Sequence, residues 1–266
     1  MGKISEKHLD YSLQCSRATL EMEELYPSKE NDEVCYKIAA GDLNQQQAID
    51  GIVNSMKLDK SQGVEQEVSS YSKYCYEGSL VLINNFNIRS KDKLLKAEGE
   101  LARIREFALK LAPKPGQFDL PHLQEIHKFL FQDIYPFAGK LRQENISKGN
   151  SIFLPVEQFQ NGIPYFFQYL NKRIAKPDGL KLDDLAAKLA YYMSELNFIH
   201  PFREGNGRTQ REFIRCLALK YGYTINWASV GKLKLKEATI KAFDDPNDLL
   251  DLAGCIKEGI NIYSFL

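Results

Sequence analysis

Apolar residues along most of this chain recur three and four positions apart, the spacing that lines one face of an α-helix. Residues 5–23 read as a first helix ended before Pro27, Glu30 to Ile38 as a second stopped by Gly41, and Asn44 to Met56 as a third. Ala48, Ile49, Ile52 and Val53 form the stripe of that third helix. The polar stretch from Lys57 to Ser70 has no stripe, which predicts a linker or a weak helix. Helical spacing resumes after Ser90, a residue suited to capping, and runs to Leu111 before Pro113 and Pro115. Asp119 with Pro121 just inside opens the next helix, with Leu123, Ile126, Leu130 and Phe131 on one side.

From Gly139 to Leu154 the pattern changes to weak alternation around Lys148-Gly149-Asn150, which predicts one β-hairpin. Helices are then expected over Val156–Ile174, kinked or restarted at Pro164, and over Leu182–Phe198, Gly207–Lys220, Lys234–Ala242 and Pro246–Lys257. The predicted class is all-α with a single short β-hairpin. Its parts are a three-helix region 1–57, a linker 58–70, a main domain 71–257 and a tail 258–266.

Composition narrows the class further. The 266 residues are 26% charged and 44% apolar with 10 Pro and 17 Gly, which excludes collagen-like and wholly disordered chains. No apolar run approaches the 18 or so residues of a spanning helix, and the first residues lack the apolar stretch of a secretory signal. Five scattered cysteines, none in a C-x-x-C spacing, suit a reducing compartment and argue against a disulfide framework or a zinc site. A cytoplasmic protein is expected. Net charge is zero, but residues 1–60 hold 7 Lys/Arg against 11 Asp/Glu, so an acidic front precedes a basic body. That imbalance is too small to predict direct nucleic-acid binding.

One segment concentrates chemistry: His200-Pro201-Phe202-Arg203-Glu204-Gly205-Asn206-Gly207-Arg208-Thr209-Gln210-Arg211, a loop feeding a helix N-terminus. Gly205 and Gly207 permit a backbone that aims consecutive N–H groups at one point, an anion nest, and the helix start adds its own donors and dipole. Arg208 and Arg211 are three apart and can grip further phosphate oxygens. Glu204 offers the hard oxygen that Mg²⁺ on a polyphosphate takes, and His200 can accept a proton near neutral pH. Each feature alone has a plainer reading: a turn, a satisfied histidine, a solvated arginine face. The spacing is not that of a P-loop.

The joint string matches without a gap H-x-F-x-[DE]-G-N-G-R-x-x-R, and the chain resembles the Fic-domain adenylyltransferases over about residues 71–257. Tyr74-Cys75-Tyr76-Glu77-Gly78, Asn85-Phe86 and Phe137-Ala138-Gly139-Lys140-Leu141-Arg142 extend the likeness. The resemblance implies transfer of AMP from ATP to a Tyr, Ser or Thr hydroxyl of a target protein, with Mg²⁺. It implies His200 as the base, Glu204 as the metal ligand, Gly205, Asn206 and Gly207 as the anion hole, and Arg208 and Arg211 on the β- and γ-phosphates. Phe202 would anchor the loop in the core. The segment Asn145-Ile146-Ser147-Lys148-Gly149-Asn150-Ser151-Ile152-Phe153 would be a flap that docks the target by strand addition. Antitoxin-regulated relatives act on subunits of bacterial type II topoisomerases, which the resemblance offers as a target. UMP, phosphocholine or phosphate as cargo, and a non-catalytic binding module, remain open alternatives.

The acidic front adds a second resemblance. Many Fic proteins carry an inhibitory helix with [ST]-x-x-x-E-[GN], and Thr19-Leu20-Glu21-Met22-Glu23-Glu24 fits it at Thr19 and Glu23 but departs at Glu24. The layout of residues 1–57 resembles the antitoxins of Fic toxin–antitoxin pairs. By that likeness Glu23 would pair with Arg211 and occupy the place of the γ-phosphate. Glu21 competes for the role but has Arg17 four residues before it. His122 and His127 read as structural, His8 as a surface residue, and Tyr165-Phe166-Phe167-Tyr169 as core.

Overall fold

The computed structural model describes residues 4–58, 72–149, 151–173 and 180–263. The helical class holds, and the chain divides into two compact units, Met1–Pro113 with Lys128–Gly139, and Lys114–His127 with Lys140–Leu266.

The first unit contains α1 (Glu6–Glu21), α2 (Lys29–Ala40), α3 (Gln45–Leu58) and α4 (Lys91–Leu111). Ser5 caps α1 by accepting the His8 N–H. Tyr11, Cys15, Thr19 and Leu20 of α1 are buried, and α1 packs on α4. Polar pins fasten this packing. Arg103 of α4, with its side chain wholly buried, donates to the Leu13 carbonyl and to Asp32 of α2, each at 3.0 Å, and touches the Ser16 hydroxyl. Burial pushes the Asp32 carboxyl up, but Arg17 and Arg103 outweigh it and hold the group below its usual range. Glu100 accepts from the Ser28 N–H and the Asn31 amide at 2.7 Å each, which ties α2 to α4 as well. His8, expected at the surface, is 9% exposed and bonds the Lys110 carbonyl through Nε2 at 3.0 Å. The acceptor is a last-turn carbonyl of α4, which the helix itself cannot satisfy.

The end of α1 shows what the departure at Glu24 costs. Leu25 N–H reaches back to the Leu20 carbonyl at 3.1 Å and Glu24 N–H to Glu21 at 3.0 Å, a Schellman turn. That turn puts Glu24 in the left-handed region at φ 61, where Gly or Asn fits without strain. Glu23 lies just past the helix, its N–H on the Leu20 carbonyl at 2.8 Å, while Glu21 pairs loosely with Arg17 at 4.0 Å.

The second unit holds most of α5 (Leu120–Phe131), the hairpin β1 (Ser147–Lys148) and β2 (Ser151–Ile152), α6 (Phe159–Arg173), α7 (Leu182–Ile199) and α8 (Asn206–Lys220). It continues with β3 (Tyr223–Ile225), α9 (Lys232–Asp244), α10 (Leu250–Gly259) and β4 (Ile260–Ile262). Pro164 lies inside α6 rather than restarting it; a 3₁₀ turn over Val156–Gln158 precedes the helix. Ile163, Phe166, Phe167 and Leu170 face inward, and this helical phase leaves Tyr165 70% exposed, so that tyrosine is not core. β4 falls where a tail was expected and pairs antiparallel with β3, Ile225 opposite Ile260. Three residues separated from their partner by two helices carry no periodic signal of their own. Leu189, Ala190, Leu196, Phe213, Ile214 and Leu217 build the centre of this unit on α7 and α8. All five cysteines are buried thiols, and no described helix is long and apolar enough to cross a membrane.

Candidate active site

α7 ends at His200, whose backbone is left-handed (φ 45, ψ 59) and whose N–H bonds the Leu196 carbonyl at 3.0 Å. A left-handed non-glycine residue is strained and turns the chain sharply out of the helix. A hydrogen bond and a stacked ring hold the His200 imidazole. Nδ1 lies 3.2 Å from the Asn197 carbonyl, an acceptor only, so Nδ1 carries a proton. Phe153, next after β2, stacks on the imidazole with centroids 3.7 Å apart and planes 15° apart.

The loop that follows is folded on itself. Asn206 accepts the Phe202 N–H at 2.9 Å and donates to the Phe202 carbonyl at 2.8 Å, so its side chain is spent inward and its backbone is what the cleft can use. Phe202 is buried and stacks on His127 of α5, centroids 3.8 Å apart. His127 donates Nε2–H to the Glu204 carbonyl at 2.9 Å. Burial holds this imidazole down to about 3, aided by the Arg208 charge and opposed by the bond to Glu204, so it is a neutral donor. Gly205 then takes φ 77, ψ 11, a left-handed turn that opens α8. The first-turn N–H groups of Asn206 and Gly207 have no acceptor within the helix, and the dipole adds positive potential there.

Glu204 accepts the Gly205 N–H at 2.9 Å and sits 3.8 Å from Arg208, its side chain 42% exposed. Arg208 and Arg211 are 2% and 5% exposed, so they are not a solvated face. Buried guanidinium groups are costly unless matched by anions. Among the described residues no three His, Cys, Asp or Glu gather as a metal cage. A single half-exposed carboxylate beside an anion nest fits Mg²⁺ carried on a polyphosphate, which takes one or two protein oxygens and leaves the rest to phosphate and water.

The hairpin pairs Ser147 with Ile152 and Lys148 with Ser151, and Gly149 at φ 59 makes its turn; Asn150 lies outside the described residues. Asn145 accepts the Val156 N–H at 2.9 Å and closes the hairpin base. Ile152 is 72% exposed, whereas Phe153 is 5% exposed and faces His200 rather than solvent. His200, Glu204, Gly205, Asn206, Gly207, Arg208 and Arg211 thus come together at the α7–α8 junction. Thr19 and Glu23 belong to the first compact unit. The motif did not disclose the supports of this junction: His127 read only as structural, Phe153 as a docking residue, and Arg142 as one letter of a flanking string.

The Fic/DOC family model matches residues 117–218. The chain is 41% identical over 170 residues to protein adenylyltransferase VbhT of Bartonella schoenbuchensis, covering 64% of this chain and 35% of that protein. The chain therefore spans about a third of VbhT. It is 34% identical over 159 residues to the Escherichia coli K12 protein named "Probable protein adenylyltransferase Fic", covering 60% of this chain and 78% of that one. Among solved structures, the N-terminal Fic domain of a VirB-translocated effector of Bartonella quintana, crystallised with ADP, superimposes with a TM-score of 0.66 at 26% identity. That match covers 71% of this chain and 94% of the other.

Proposed function

The chain belongs to the Fic/DOC family, a family of transferases, and from that premise we propose that it moves AMP from ATP onto a hydroxyl of a protein. One observation carries the reading: the Asn197 carbonyl lies 3.2 Å from Nδ1 of His200, which assigns Nε2 as the nitrogen a neutral imidazole uses as a base, six residues before the start of α8. A target Tyr, Ser or Thr hydroxyl gives its proton to Nε2 while its oxygen attacks the α-phosphorus in line. The new O–P bond forms as the bond to the bridging oxygen breaks, and pyrophosphate leaves. The backbone N–H groups of Asn206 and Gly207, with the left-handed turn at Gly205 that aims them, face the charge that develops on the phosphate oxygens. Arg208 binds the β-phosphate and Arg211 the γ-phosphate through charge-assisted hydrogen bonds. Glu204 holds Mg²⁺, which when bound neutralises phosphate charge.

The hairpin receives an extended target segment along its edge, with Ile152 outward. Residues 1–57 act as an inhibitor: Glu23, with Thr19 near it on α1, competes for Arg211. A subunit of a bacterial type II topoisomerase is the target offered by the likeness to antitoxin-regulated Fic proteins. The five buried thiols support a cytoplasmic setting. The test uses purified protein, α-labelled ATP and bacterial lysate, with a panel of other labelled nucleotides beside it. Glu23→Gly protein should label a target from ATP. Its His200→Ala derivative should label none while binding ATP within a few-fold of the parent. Retained labelling without His200 refutes the mechanism.

A further inference from the structure

We infer that Arg142 is a positioning residue that sets the distance between the docked target and the base; this rests on the adenylyl-transfer reading above. Arg142 lies just before the hairpin and is 2% exposed. Its guanidinium donates to four backbone carbonyls. Nε reaches His200 at 2.8 Å, Nη1 reaches Glu144 at 2.9 Å, and Nη2 reaches Leu154 at 2.5 Å and Ile199 at 3.4 Å. Its own backbone N–H bonds the Pro201 carbonyl at 2.8 Å, and Phe159 lies under the guanidinium at 4.7 Å.

The four acceptors fall into two sets. Ile199 and His200 are the C-terminal end of α7, where carbonyls lack helical partners and the dipole favours a cation. Glu144 and Leu154 flank the hairpin, one before β1 and one after β2. Leu154 N–H adds a bond to the Phe198 carbonyl at 3.0 Å. One planar cation therefore fastens both roots of the hairpin to the residue that carries the base. The bond on the His200 carbonyl also holds that residue in its strained left-handed turn.

The consequence is geometric. A segment paired with the hairpin presents its hydroxyl at a height fixed by the hairpin roots, and Nε2 sits where the His200 backbone puts it. A misplacement of about 1 Å between reacting groups can cost on the order of 100-fold in rate. Lysine keeps the charge but offers a point donor that cannot span four carbonyls in a plane. Glutamine keeps a planar donor and loses the charge.

The experiment compares Arg142→Lys and Arg142→Gln in the full chain carrying Glu23→Gly. It measures transfer of label from α-labelled ATP to the protein of a bacterial lysate, KM for ATP, thermal unfolding and amide exchange. The expected result is a kcat at least 10-fold lower in both variants, with KM for ATP within 2-fold. Exchange should quicken at His200 and Leu154 but not along α8. A kcat within 2-fold of the parent overturns the inference. So does a parallel loss of ATP binding, or failure of both variants to fold, since either makes Arg142 an ordinary core residue. Two measurements separate the two readings: in the transfer assay a parent protein that moves no AMP refutes adenylyl transfer, while unchanged exchange at His200 and Leu154 refutes the role of Arg142.

Discussion

Replacing Phe153 by leucine tests whether the hairpin orients the base as well as receiving a target. The phenyl ring lies flat on the His200 imidazole at 3.7 Å and is 5% exposed, with Phe243 against it edge-on at 5.6 Å. Leucine keeps apolar bulk there and removes the flat face. A stacked aromatic pair contributes about 0.5–1.5 kcal/mol beyond its buried area. If that energy holds the imidazole in one rotamer, its loss lowers the productive fraction by about 2- to 12-fold. Transfer at saturating ATP should fall by that factor, with KM for ATP unchanged, because the Phe153 ring acts on His200, the proposed base. Stability should fall by about 1 kcal/mol, a typical core-substitution cost. The assay pairs initial rates of labelled-protein formation with proton NMR of the imidazoles. The chain has four histidines, and His200→Ala identifies the His200 signals. Stacking beneath a phenyl ring shifts those signals upfield, and Phe153→Leu should return them toward their usual position. An unchanged rate together with unchanged imidazole signals would refute the argument.

Other expectations are more direct. Chelation by EDTA, or Glu204→Ala, should abolish transfer, and Mg²⁺ or Mn²⁺ should restore the chelated wild type; full activity in chelator excludes the metal role of Glu204. Glu23→Gly should raise transfer on the order of 10- to 100-fold at sub-saturating ATP, as expected from losing a charge-assisted pair of about 1.5–3 kcal/mol. Equal rates for wild type and Glu23→Gly across an ATP titration would remove residues 1–57 from regulation. Glu24→Gly relieves the left-handed strain at φ 61 and should raise stability by about 1 kcal/mol without raising transfer. A lower melting temperature for Glu24→Gly would contradict the Schellman turn.

What was legible in the chain itself was local. Amphipathic spacing located the helices because each must bury one stripe, and the fold class follows from that alone. The string from His200 to Arg211 pointed to the Fic family because a proposed phosphate nest needs glycines, a helix start and cations within a few residues of one another. Two kinds of fact were not local. The β3–β4 pair and the burial of His8 depend on partners far along the chain, about which a short segment carries no record. The state of the site also belongs to the tertiary structure. The Asn197 carbonyl accepts from Nδ1 of His200, Phe153 stacks on its ring, and His127, which burial keeps neutral, donates to the Glu204 backbone. Residue types decide what chemistry a site can attempt, but burial and hydrogen-bond partners decide which proton sits on which atom, and only packing supplies those.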